Sequence, residues 1–299
     1  MTENKPQAIS ITPSQETVTV PVNLKKLHRI GARPDFTDYL VQLWDRRQFI
    51  GFDAQARVQS ANDKDKLGSL WLILTPLFNG LTYYFVFGML LGTGRGIDNF
   101  VGYLVIGIFT FQVSAGALLQ GARSLVSNES VIKAFTFPRA ALPIAVNLRE
   151  LLSAIPSTIV MLLIVLIAAP VEEITWRWLL IIPAILLQHL FNLGIGMLLA
   201  PFLYKVHDIG NLLSFLTRLW MYSSAVFYSL DRFKDYPVLV KVLEANPLYI
   251  VIDIIRDSVL YATTPSWQSW AALTAWALGL LSIGFFVFWR QEESYGRVS

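Results

Sequence analysis

The residues able to break or form covalent bonds are scarce in this chain. It has no cysteine and only three histidines, His28, His189 and His207, no two of them at metal-ligand spacing. Thiolate chemistry, disulfides and a Cys- or His-built metal site are therefore excluded. Acids pair at Glu172–Glu173 and at Asp63 and Asp65, but in hydrophilic stretches with no histidine to complete a proton relay. They read as solvated charge. No GxxxxGK[ST] phosphate loop is present, so the chain does not bind ATP by that route. Gly92-Thr93-Gly94-Arg95-Gly96 has the glycines of such a loop but follows an apolar block, and it reads as a turn.

Recognition and movement are better supplied. The stretch Ser127-Asn128-Glu129-Ser130-Val131-Ile132-Lys133-Ala134-Phe135-Thr136-Phe137-Pro138-Arg139 offers Asn128 as a helix cap, then one or two apolar turns that Pro138 stops. Val131, Ile132, Phe135 and Phe137 are costly to leave in water. The short helix either docks into a groove on a soluble partner or packs on its own chain. Arg218 stands inside an apolar block, where a cation normally faces a cavity or a partner. It either receives an anionic headgroup or snorkels to the interface. Gln188, His189 and Asn192 in one block, and Arg149 with Glu150 in another, read as interhelical hydrogen-bond partners. Tyr83, Tyr84, Phe85, Phe87, Phe109, Phe111, Trp220, Tyr222, Phe227 and Tyr228 are aromatic faces that either line a path for sugar rings or form ordinary packing and interface belts.

Such residues must be positioned by a chain too apolar for water. Of 299 residues, 54% are hydrophobic, 13% aromatic and 15% charged, against about 25% charged in soluble domains. The apolar residues come in blocks near the length of a bilayer crossing, which implies an all-α polytopic membrane protein. Six transmembrane helices are expected, at about 69–91, 100–119, 140–169, 179–203, 211–230 and 269–289. Pro76, Pro156 and Pro183 fall inside them, as lipid-embedded helices tolerate. Gly196 and Ala200 suit a close helix contact. Residues 1–34 read as a polar tail without a cleavable signal peptide; 35–68 as an interfacial helix and link; 69–290 as the six-span domain; 291–299 as a second tail.

Within the second of these segments, Phe36, Tyr39, Leu40, Leu43, Trp44 and Arg47 form one stripe on a helix over 35–57. It lies in the headgroup layer or packs as a cytosolic helix. Arg46 and Arg47 are candidates for a lipid headgroup. Between the last two spans, apolar residues recur at helical spacing over about 231–268 in two runs too short to cross, separated by Asn246–Pro247. They predict two short outer re-entrant helices or a small ordered cap. Lys and Arg concentrate before the first span, between the second and third, and near the C-terminus. Both termini are therefore expected in the cytoplasm. The net charge of +3 reflects these flanks and not a nucleic-acid surface.

Several segments together resemble the polysaccharide-exporting ABC-2 permeases of the Wzm and TagG type. They are Lys66-Leu67-Gly68-Ser69-Leu70-Trp71 with Thr75-Pro76-Leu77; Asn128 to Pro138 ahead of Leu142-Pro143; Lys205-Val206-His207-Asp208-Ile209; and Asn246-Pro247-Leu248 with Arg256. At Ser60-Ala61-Asn62-Asp63 the chain departs from the family's basic, aromatic run. The resemblance covers about 35 to the C-terminus and implies the ABC-2 (type V) exporter fold, not an enzyme. It implies a multi-pass permease of the plasma (inner) membrane that forms a homodimer and binds two copies of a Wzt/TagH-type ATPase, which holds the ATP and Mg. Asn128, Val131, Ile132, Lys133, Phe135, Phe137, Pro138 and Arg139 would be the coupling helix. Asn246, Pro247, Asp253 and Arg256 would belong to the outer gate, and the aromatics above to the channel. The cargo would be a glycan on a polyprenyl diphosphate. The chain looks most similar to actinobacterial (mycobacterial-like) galactan exporters, with O-antigen or teichoic-acid polymers as alternatives. A drug exporter or a membrane glycosyltransferase would be the other readings.

Overall fold

The computed structural model describes residues 34–60, 68–90, 97–167 and 172–295, without the side chains at 69, 72, 73, 76, 87 and 88. The regular structure among them is helical. Four helices are long and apolar enough to cross a membrane: α4 (Phe100–Ala122), α6 (Ala141–Ile167), α7 (Ile181–Lys205, after a 3-10 turn at Trp176–Leu180) and α11 (Trp267–Arg290). The first expected span is composite. It opens as α3 (Trp71–Tyr83) and continues as a π-helical stretch, Tyr84–Leu90, a widened turn of the kind that marks functional segments.

The fifth expected span is short. α8 (Ile209–Ser223) has 15 residues, roughly 22 Å at 1.5 Å each, and ends well before Leu230. The cause is local. The Ser223 and Ser224 hydroxyls both donate to the Trp220 carbonyl, at 3.0 and 2.7 Å, competing with the helix ladder. Ala225 then adopts φ 49°, a left-handed conformation that costs a side-chain-bearing residue about 1–2 kcal/mol. Residues 224–227 leave the helix and run buried through the protein.

α4 is the centre of the bundle and packs on α3, α6, α7 and α8. Its contact with α7 brings Gly121 and Gly196 together, so that a side chain on Gly196 would meet the Gly121 Cα at 3.2 Å. Gly196 thus makes the close contact its spacing predicts, and Ala200 is buried beside it. α7 and α11 approach closer still, with the backbones of Gly194 and Gly284 in direct contact. Residues with no Cβ permit this, and close backbone packing is what holds helices together where lipid removes the hydrophobic drive.

The two short helices between the last spans form, with unequal roles. α10 (Pro247–Val259) is buried around most of its circumference and packs on α4, α7 and α11. α9 (Pro237–Glu244) exposes Val238, Leu239 and Val242. α10 thus belongs to the interior of the bundle and α9 to its surface. At the opposite end, the single amphipathic helix expected over 35–57 is two: α1 (Phe36–Asp45) and α2 (Arg47–Ser60). The Arg46 N–H is shared between the Gln42 and Leu43 carbonyls at 3.3 and 3.2 Å, which interrupts the ladder. The apolar residues of the stripe all stay in α1, and only Arg47 passes to α2. Tyr39 is buried against α11, while Phe36, Leu40 and Trp44 remain exposed.

The chain therefore has a near end and a far end. The near end carries α1, α2, α5 (Glu129–Ala134) and the turn after α11; the far end carries the starts of α4 and α11 and the end of α10, where Leu260 reaches Gly102. Links at the far end include Arg177 Nε to Thr264 Oγ1 at 3.1 Å and Asn99 Nδ2 to Glu172 Oε1 at 3.0 Å.

Candidate functional site

The near-end site is built on α5, six residues between a 3-10 turn and Phe135. Ile132 is 3% exposed and pins the turn to the bundle, whereas Phe135 is 67% exposed. Val131 is half-buried, and Phe137 packs with Leu43, Ile50 and Ala141. Lys133 and Glu129 pair at 2.7 Å along the outer face. The Lys133 ammonium hydrogen-bonds the Glu129 carboxyl and holds it below its ordinary value. Arg46 and Phe49 face Val131, Ala134 and Phe135 across an apolar groove of about 390 Å³. The amphipathic helix and the loop, separate in sequence, make one surface.

Asn128 does not cap α5 with its side chain. Its amide instead donates to the Ser124 carbonyl at 2.8 Å and accepts from the Arg57 guanidinium at 2.9 Å. Asn128 is thus a clamp between α2 and the loop's entry. The exit is held otherwise. Arg139 donates its backbone N–H to Glu292 Oε1 at 2.9 Å and its guanidinium to the Glu292 carbonyl at 2.7 Å. The Tyr39 hydroxyl donates to Glu292 Oε2 at 2.9 Å and accepts from the Ala140 N–H at 3.0 Å. Pro138 is buried in the same corner. Burial pushes the Glu292 carboxyl and the Tyr39 hydroxyl above their ordinary values.

The far-end site centres on Arg256, which is 1% exposed. Its guanidinium donates to the carbonyls of Ala225, Val226 and Tyr103 at 3.0–3.1 Å and lies 3.2 Å from the Tyr103 ring centroid. Non-helical backbone inside a membrane protein needs such a donor, and this cation supplies it to the segment that breaks α8. Asn246 ties the same break to α10. It caps the Leu248 N–H at 3.1 Å, accepts from Trp220 Nε1 at 2.9 Å, and donates to the Ser223 carbonyl and Ser224 Oγ. Pro247 follows as the first helical residue. Asp253 and Tyr249 line a cavity of about 710 Å³ beside Arg256.

A family model described as ABC-2 type transporter matches residues 55–260. The chain belongs to the ABC-2 transporter family. Among curated proteins it is similar to two O-antigen export system permease proteins RfbA of Klebsiella pneumoniae. Both are 25% identical, over 198 and 207 residues, 66% of this chain in each case and 74% and 78% of theirs. An RfbA of Myxococcus xanthus is 25% identical over 232 residues, 77% of this chain and 86% of its own. The matched region of this ABC-2 transporter runs from within α2 through α5 to the end of α10. Family and apolar helices together make it an integral membrane protein and a transport subunit.

The aromatic candidates of this ABC-2 transporter separate by burial. Phe109, Phe111 and Phe227 are core residues, which removes them from any surface path in this conformation. Tyr84 and Tyr222 are exposed, and Tyr83, Trp220 and Tyr228 are half-buried. The side chain of Phe87 lies outside the described residues, as do residues 91–96 and the Lys66–Leu67 part of the family resemblance. Arg218, Arg46 and Arg47 are exposed, and Arg47 donates to the Trp44 carbonyl and lies 5.1 Å from its ring. On α7, Gln188 behaves as its type predicts, donating to the Thr110 carbonyl and Ser114 Oγ. Arg149 pairs with its own neighbour Glu150 at 2.9 Å. Sequence reasoning missed Glu292 and the hydroxyl of Tyr39. One of two adjacent glutamates in a short tail carries no local signal.

Proposed function

We propose that this ABC-2 transporter is the permease subunit of a polysaccharide exporter, driven by a separate ATPase that binds ATP and Mg. The observation that carries this reading is the likeness to O-antigen export permeases over 66–77% of the chain. The near-end surface supports the coupling role: Phe135 stands exposed beside a groove fit for a partner's side chains. The near end then faces the cytoplasm with both termini, and the protein lies in the plasma membrane as six spans, α3 with its π-helical stretch and α8 completing the count.

A homodimer is the working unit in this reading. The cargo is a glycan on a polyprenyl diphosphate, and its headgroup is met by Arg46, Arg47 or Arg218. We take galactan as the polymer in this reading, and an O-antigen-type polymer fits the relatives equally. The deciding experiment is depletion of the protein in its own cells, followed by analysis of lipid-linked polymers. Accumulation of one undecorated polymer on the cytoplasmic side supports export and names the cargo. An unchanged pool of every lipid-linked polymer would refute the reading.

A further inference from the structure

The loop that carries α5 is held at both ends, and the two attachments differ in stiffness. At its entry, Asn128 is held by Arg57, whose side chain is 41% exposed and shared with Asp53. Exposed charged contacts of this kind are weak and yield readily. At its exit, the Glu292 side chain is 6% exposed and its partner Arg139 16%. There the Arg139 and Ala140 N–H groups and the Tyr39 hydroxyl close a buried cycle through Glu292. Separating these parts would strand buried donors and acceptors, so the cycle moves as one piece or not at all. α5 itself is too short to act as a lever.

From this we infer that Glu292 is a positioning residue for transport. It transmits displacement of the α5 loop to α1, whose Leu40 and Trp44 are exposed at the near end and whose Phe36 packs edge-on against Phe285 and Trp289 of α11. A push on Phe135 is then delivered through Arg139 and Ala140 to the Glu292 carboxyl and on to Tyr39. The segment after α11 serves as a joint between the loop and the interfacial helix. The inference rests on the reading of α5 as the receiver of the ATPase stroke.

The test uses the intact permease–ATPase complex in lipid nanodiscs and takes advantage of the cysteine-free sequence for site-specific spin labels. One label pair, at Ser130 and Gln42, reports α5 against α1. Another, at Ser130 and Trp267, reports α5 against the far end. On trapping with ATP, the first distance should hold while the second changes. Glu292→Ala should let the first distance change as well, and should lower cargo exported per ATP hydrolysed in proteoliposomes about tenfold. Glu292→Gln, which keeps an acceptor for Arg139 and a polar contact for Tyr39, should restore most of both. If Glu292→Ala does not fold, Tyr39→Phe removes one hydroxyl from the cycle and should loosen the first distance in the same sense. The inference is overturned if these variants export normally, or if export falls while the first distance still holds. An unmoved second distance in the unaltered complex would instead defeat the coupling reading on which it rests.

Discussion

Two buried charged residues decide how the ends of this molecule are held, and each makes a different prediction. Arg256 meets carbonyls rather than a carboxylate, with Ala225, Val226 and Tyr103 as acceptors. Arg256→Met removes the cation and leaves three buried carbonyls without that donor, a loss of about 3–5 kcal/mol by analogy with breaking a buried ion pair. Thermal unfolding in detergent should show the drop, and Arg256→Lys should rescue little because an ammonium cannot span the same fork. Glu292 is governed by burial, which outweighs its hydrogen bonds from Arg139 and Tyr39 and raises its carboxyl above the ordinary glutamate range. For an acid so shifted, the folded form favours the protonated group. The stability it contributes is complete below the ordinary glutamate range and is lost as pH rises through the raised folded value. Hydrogen exchange at the Ala140 amide, corrected for intrinsic rate, should therefore lose protection over that rise, and Glu292→Gln should flatten the dependence.

At the scale of elements, the closest packing in the bundle lies between α7 and α11, where Gly194 and Gly284 meet backbone to backbone. Gly284→Leu forces the helices apart and should destabilise by about 1–3 kcal/mol or more, read as a lower unfolding temperature and poorer dispersity. Gly279, on the same helix with open space around it, should accept alanine without loss. The long spans were legible because apolar runs of bilayer length have few other fates. The break in α8 was not legible. Its serines and alanine fit a helix by type, and only Arg256 and Asn246, far along the chain, make the unwound backbone affordable. The interruption at Arg46 was hidden too, since one stripe of apolar residues serves one helix or two. The α5 loop could be read from its own residues, but its anchor could not: Tyr39 and Glu292 are 253 positions apart.

For the whole molecule, the question is which surfaces lipid can cover and which it cannot. Phe135→Asp alters a side chain 67% exposed at the near end, so folding should change by no more than about 0.5 kcal/mol. If α5 receives a partner ATPase as proposed, export should nevertheless fail while that ATPase loses its stimulation, and normal export would remove α5 from the coupling path. The outward face of α8 poses the opposite case. Leu212, Phe215, Leu216, Leu219 and Tyr222 are exposed and suit lipid, yet Arg218 is exposed among them. A cation facing hydrocarbon is expensive, and Arg218 is the tenth residue of a 15-residue helix, about 14 Å from its near-end start. A second copy of the chain laid against this face, or a path between the copies, would take the charge out of lipid and bring Tyr222 to the same surface. Arg218→Ala should then reduce export several-fold at unchanged expression and unfolding temperature. Arg218→Lys should behave differently under the two accounts: a snorkelling role tolerates the ammonium, whereas a diphosphate contact loses the bidentate geometry of the planar guanidinium. Full export by the alanine variant would leave Arg218 as an interfacial anchor and move the headgroup contact to Arg46 and Arg47.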